Sequence, residues 1–213
     1  MNTKNNAFLT TGVITAPFIY SHENKTETFY SSFLSIRRYS GTIDTVPILI
    51  SNKVWDTDSD MNGKRVLLSG RFHSHNIPES DNHRRLQLSL LADELILSEE
   101  DVYDRNEVLL QGNVCQYPVY RITPNGREIT TLVLAVSRNE KQNDYIPLII
   151  WGRNARTAGN LRCGDYLSIH GRIQSREYKK RLEDASIETR TTYEVSVSHL
   201  AATSRELLKK IID

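Results

Sequence analysis

Cysteine is nearly absent. The 213 residues hold two, Cys115 and Cys163, and neither sits in a Cys-x-x-Cys pair or beside a histidine at ligand spacing. A reducing compartment and packing as small hydrophobes account for both. Also missing are a basic-then-apolar leader and any apolar run approaching the roughly 18 residues of a membrane span, so a cytoplasmic chain with no membrane association is expected. Charge of one sign is lacking as well, with 27 Lys and Arg against 26 Asp and Glu. No arrangement for catalysis is present: no nucleophile elbow, no phosphate-cradling Gly-rich loop, no zinc signature and no acidic cluster for two metals. The chain is therefore read as a non-enzyme without a cofactor. His73 and His75 share one strand face and His83 lies nearby. Third and fourth ligands are wanting, so no metal site is expected there, and His170 and His199 are expected to pack.

What is present is unevenly distributed. Residues 1 to 100 carry 10 basic and 12 acidic side chains, whereas Arg105 to Arg181 holds 13 basic against 6 acidic. A surface built from the second segment attracts a polyanion. Apolar content of 38% with ten tyrosines is that of a chain able to bury a core.

Shifted by about 100 residues, the chain matches itself. Phe8 to Ile14 with Pro17 matches Val108 to Val114 with Pro118, and Phe29 to Arg38 matches Ile129 to Arg138. Val46 to Ile50 matches Ile146 to Ile150, and Gly63 to Phe72 matches Gly164 to Ile173. Four matches in one order describe two copies of a domain, residues 1–100 and 101–203, followed by a tail at 204–213. The tail's Ser204 cap, late lysines and amphipathic spacing predict a short C-terminal helix.

Each copy reads as β. In the second, alternating runs occupy Glu107 to Gln116, Glu128 to Ser137, Tyr145 to Trp151, Tyr166 to Ser175 and Thr192 to Leu200. Pro124-Asn125-Gly126 is a hairpin signal, because Asn and Gly tolerate positive φ. Asn154 to Ala158 suits a short helix between the third and fourth runs. Five strands with a helix at that point is the order of the OB fold, and glycines in the first and fourth strands suit a tightly coiled barrel. The first copy repeats the skeleton at Ala7 to Thr15, Thr28 to Arg37, Thr45 to Ile50, Arg65 to His73 and Arg85 to Leu95, with Trp55 at the helix position. The fold class is thus all-β: two tandem five-stranded OB barrels, each with a short helix, plus the terminal helix.

Function is read from Asp144 to Arg153. Alternation puts Ile146, Leu148 and Ile150 on one face of a strand and Tyr145, Pro147, Ile149 and Trp151 on the other. If the first face enters the core, the second presents two rings with Arg153 beyond them. Rings flanked by guanidinium groups suit stacked bases and their phosphates. Arg138, Lys141, Arg153, Arg156, Arg172, Arg176, Lys179, Lys180 and Arg181 supply the surrounding positive charge. The competing reading of Tyr145 and Trp151 is burial against a partner subunit or the first domain, since aromatics also mark protein interfaces. At the matching positions of the first copy stand Thr45 and Ser51, and the aromatics that remain there include Tyr30, Tyr39 and Trp55.

The second copy resembles the bacterial single-stranded DNA-binding proteins (SSB). The resemblance rests on Asn106 to Val114, Pro118, Asn125-Gly126, Leu134 to Arg138, Tyr145 to Arg153, and Leu161 to Asp165 running into Gly171-Arg172. It implies an OB fold that wraps single-stranded DNA without sequence preference. By position, Tyr145 and Trp151 fall on two of the family's stacking sites, and Tyr178, in the loop after the fourth strand, on a third. A fourth usual aromatic falls near Glu140, where this chain has none. Some members carry two OB domains per chain and dimerise, which implies a homodimer with four OB domains here. The family's Gly/Pro/Gln-rich segment and acidic, Phe-terminated tip have no counterpart at Lys209 to Asp213, so recruitment of repair enzymes by that route is doubtful. Replication, recombination or repair is the expected setting. The alternative is an OB scaffold bridging replication or conjugation proteins with weak or no DNA binding.

Overall fold

Alternating apolar and polar residues become strands throughout the computed structural model, which describes residues 5–57, 59–78, 84–99, 104–181 and 186–204. The first copy supplies β1 (Asn6–Ile14), β2 (Ile19–Glu23), β3 (Thr28–Arg37), β4 (Ile43–Ser51), β5 (Arg65–Pro78) and β6 (Arg84–Leu97). The second supplies β7 (Asn106–Val114), β8 (Val119–Ile122), β9 (Glu128–Asn139), β10 (Gln142–Trp151), α1 (Arg153–Gly159), β11 (Tyr166–Arg181) and β12 (Ile187–Thr203). Five long strands of each copy close into a barrel. In the first, β1 pairs with β3 and β5, β3 with β4, and β5 with β6, while β4 and β6 run parallel. The second barrel repeats this with β7, β9, β10, β12 and β11.

Closure demands close backbone approach at the point where the first strand meets the second. A Cβ at Gly112 would lie 2.3 Å from the Ala135 carbonyl oxygen, and one at Gly12 would lie 2.4 Å from that of Ser35. Only glycine allows the strands to touch there.

Departures from expectation concern length and local type. A short sixth strand, β2 or β8, forms a hairpin onto β3 or β9 in each copy. The hairpin β11–β12 runs on to Arg181 and Ile187, so Tyr178 lies on a strand opposite Arg190 and not in a loop. Strand pairing satisfies the backbone of that polar segment, which its composition hid. Among the described residues α1 is the one helix. At the matching junction of the first copy, Trp55 N donates to Ser51 O at 3.1 Å and the chain then turns. Asp56, Asp60 and Asn62 follow, residue types whose side chains bond nearby backbone and favour turns over helix. Asp60 does this by accepting the Asn62 amide at 2.9 Å. Trp55 instead enters the core, 7% exposed, against Phe18 and Tyr30 at ring separations of 4.6 and 5.3 Å. The expected C-terminal helix at 204–213 lies, beyond Ser204, outside the described residues, as does His83.

Antiparallel pairing of β1 with β7, from Asn6 opposite Leu110 to Thr10 opposite Asn106, merges both barrels into one twelve-stranded sheet about a local two-fold relation. Asn6 and Asn106 finish the job where β1 and β7 leave their own barrels. The Asn6 amide bonds Phe72 N and O at 2.8 and 3.0 Å, and that of Asn106 bonds Ile173 N and O at 2.9 Å each. Each side chain imitates one more residue pair of the ladder.

The same relation doubles a buried ion pair. Asp44 and Asp144 are 0% and 1% exposed. Arg38 forks onto Asp44 and Arg138 onto Asp144. Each carboxylate then crosses to the other barrel, taking Ser175 N and Ser74 N respectively, both at 2.7 Å. Charge-assisted bonds of this kind fix the barrels in one mutual orientation.

Candidate nucleic-acid interface

Strand β10 behaves as its alternation predicts at both ends. Ile146, Leu148 and Ile150 are no more than 1% exposed, while Tyr145 and Trp151 show 42% and 39% of their surface. Ile149, expected on the outer face with them, is buried at 4%. Six residues of strand separate the two exposed rings by about 20 Å at the usual rise.

Trp151 ends β10, and Gly152, at φ 60°, turns the chain into α1. Ala155 and Ala158 seat this helix on the barrel, with Thr130 Oγ1 donating to Ala155 O at 2.7 Å, which leaves Arg153 and Arg156 outward. A hollow of about 580 Å³ opens here, lined by Ile122, Gly126, Arg127, Glu128, Trp151, Gly152 and Arg156. Arg156 is engaged: its Nε donates to both Glu128 oxygens at 2.7 Å, and Tyr120 donates to the same carboxylate. The guanidinium, and then the tyrosine hydroxyl, hold Glu128 below the ordinary carboxylate pKa. Arg127, absent from the residues expected at the site, stands exposed beside Trp151. Its place immediately after the Asn125-Gly126 turn was the available signal.

Tyr178 lies apart from that hollow. It lines a cleft of about 390 Å³ between the barrels with Phe33, Pro47, Arg85, Pro147, Arg190 and Tyr193 among others. Pro47 and Pro147, equivalent residues of the two copies, both line it. Arg172 belongs to a third place, a groove of about 540 Å³ with Arg37, Tyr39, Arg105 and Glu107. Its Nη1 is buried without a hydrogen bond, 3.9 Å from Asp44, and burial followed by the nearby Arg38 charge lowers its pKa. Tyr39, 82% exposed, is the most open aromatic of the first copy.

The expected basic residues separate by what they touch. Arg138 is committed to Asp144 and also donates to Ser74 O at 3.1 Å. Arg176 reaches Glu194 at 3.4 Å. Lys141, Arg153, Lys179 and Arg181 are exposed, and with Arg127 they form no ion pair among the described residues. Lys180 is half-buried and engaged.

The histidines hold no such arrangement. His73 and His75 stack at 5.8 Å beside His22 in an apolar pocket of about 520 Å³. Burial, then the Arg138 charge, pushes His73 down to about 4, so its 3.8 Å approach to Asp144 is no ion pair at neutral pH. Among the described residues no three His, Cys, Asp or Glu side chains are placed to hold a metal. His170 and His199, expected to pack, stack on one another at 6.0 Å on an exposed face. No described helix is long and apolar enough to cross a membrane.

Two closed five-stranded barrels, the second with exposed rings on its third long strand and arginines at its rim, define a tandem OB-fold protein. Over 94% of this chain and 93% of the other, the architecture superposes on wild-type single-stranded DNA binding protein from Thermus aquaticus with a TM-score of 0.69 at 22% sequence identity, a likeness of fold. Residues 105–203, just under half of the chain, match the single-strand binding protein family. Single-stranded DNA-binding protein of Clostridium tetani is 36% identical over 83 residues, 36% of this chain and 57% of the relative. Single-stranded DNA-binding protein A of Bacillus subtilis is 35% identical over 83 residues, 36% and 48% respectively. The chain thus spans about half the length of the curated relatives it matches.

Proposed function

We propose that this protein binds single-stranded DNA without sequence preference and serves replication, recombination or repair as a cytosolic binding protein and not as an enzyme. One observation carries the reading: Tyr145 and Trp151 remain about two-fifths exposed on a strand whose alternate side chains are fully buried. Each ring offers a base a face worth roughly 1–3 kcal/mol, whichever base it is. Arg127, Lys141, Arg153, Lys179 and Arg181 supply cations for phosphates. If each meets one phosphate, log K falls with log salt at a slope of about 3–4. Tyr178, in the cleft between the barrels, extends the aromatic path in this reading. Two chains joined as a homodimer would present four barrels, and sedimentation equilibrium tests that state.

Titration of the full chain with oligo-dT at low and high salt, following tryptophan emission, tests the main reading. Binding that quenches emission, weakens with salt and drops on Tyr145→Ala supports it. Absence of binding at low salt overturns it and leaves an OB scaffold for protein contacts.

A further inference from the structure

Beyond its ladder with β9, strand β10 has among the described residues a strand partner only at Leu148 to Ile150, where β12 runs parallel. At Tyr145 the opposite edge would carry an unpaired amide. The first barrel fills that gap: Tyr145 N donates to Ser74 Oγ at 2.7 Å, from β5 of the other domain. Ser74 is itself fixed, with its N bonded to Asp144 Oδ1 and its carbonyl accepting Arg138, and it is only 7% exposed.

The matching node differs where it matters. There Thr45 occupies the place of Tyr145, and the Ser175 hydroxyl turns to Asp44 Oδ1 at 3.2 Å. The serine that faces an aromatic holds that residue's amide, while the serine that faces threonine bonds the aspartate.

We propose that Ser74 is a positioning residue for base stacking, through which the first domain sets the backbone of Tyr145 and so the angle at which its ring meets DNA. This rests on the stacking role given to Tyr145 above. It assigns the first domain a part in binding that requires no aromatic of its own at that position.

The test compares Ser74→Ala, Ser175→Ala, Tyr145→Ala and the Ser74→Ala/Tyr145→Ala pair in oligo-dT titrations, with amide exchange at Tyr145 read by NMR in the free protein. Full loss of one stack corresponds to about 5- to 150-fold weaker binding, and misplacement should cost the lower figure. Ser74→Ala should therefore bind about five-fold more weakly and exchange the Tyr145 amide faster. Ser175→Ala, which disturbs an equivalent contact without an aromatic, should bind as wild type. In the Tyr145→Ala background, Ser74→Ala should add less than about two-fold, because residues acting through one contact are non-additive. Wild-type binding by Ser74→Ala, equal losses in both backgrounds, an equal loss in Ser175→Ala, or unchanged amide exchange would each overturn the inference while leaving the stacking reading intact. Wild-type binding by Tyr145→Ala would instead overturn the stacking reading, and with it the role of Ser74.

Discussion

Arg138 and Arg153 look alike as candidate phosphate contacts, and the structure predicts opposite phenotypes for their loss. Arg138 keeps 27% of its side chain accessible, but the carboxylate it neutralises is 1% accessible. Arg138→Ala leaves Asp144 buried with the Ser74 amide and without its cation. Breaking a buried pair costs about 3–5 kcal/mol, and the partly wet guanidinium points to the lower end, about 3 kcal/mol. With a urea dependence near 2 kcal/mol per molar, the unfolding midpoint should fall by about 1.5 M. Because the guanidinium is already neutralised, the salt dependence of oligo-dT binding should keep its wild-type slope. Arg153, exposed at the start of α1 without an ion pair among the described residues, should behave in reverse: wild-type stability, and a slope shallower by about 0.7. Arg38→Ala removes the fork on Asp44 but leaves Arg172 Nη1 3.9 Å away, so it should lose stability in the same direction by less than Arg138→Ala. Urea denaturation followed by fluorescence, with titrations at four salt concentrations, checks all three. An Arg138→Ala protein of native stability whose salt slope falls by about 0.7 would refute the argument.

Other expectations follow from the same geometry. His73 is depressed to about 4 from 6.5, so as pH falls the unfolded chain takes up the proton first. Its contribution to stability is full above about 6.5 and drains away toward about 4, a loss of roughly 1–2 kcal/mol by pH 5 after allowing for a partly exposed ring. His73→Gln, which installs the residue found at the equivalent Gln174, should remove that part of the pH dependence in urea titrations at pH 7.5 and 5. Gly112→Ala forces a Cβ onto the Ala135 carbonyl and should cost at least about 2 kcal/mol in thermal or urea unfolding. Of the two tryptophans, acrylamide should quench Trp151 and spare Trp55, and Trp55→Phe should retain the quenching produced by oligo-dT.

Much of this was legible in the chain. The repeat, the strand order and the barrel followed from period-two alternation, glycine placement and the Asn125-Gly126 turn, because these are local demands of a pleated, closed sheet. The outward placement of Tyr145 and Trp151 followed too, since Ile146, Leu148 and Ile150 leave the opposite face no other destination than the core. The limit shows at Ile149, which shares the outer parity yet is covered. Alternation assigns a face and cannot say what lies against it.

What only the tertiary structure decided lies where the barrels meet. Arg38 and Asp44, like Arg138 and Asp144, are six residues apart in a polar stretch, and nothing in that spacing marks them as buried. Their burial arises because β1 and β7 pair, bringing Ser175 against one carboxylate and Ser74 against the other from more than sixty positions away. Tyr178 became a strand residue because β12 runs alongside it, and Trp55 a core residue because Phe18 and Tyr30 converge on it. Side-chain period and turn chemistry are written residue by residue. Which charge is neutralised, and which edge is covered, depends on atoms brought near only after two domains have folded and packed.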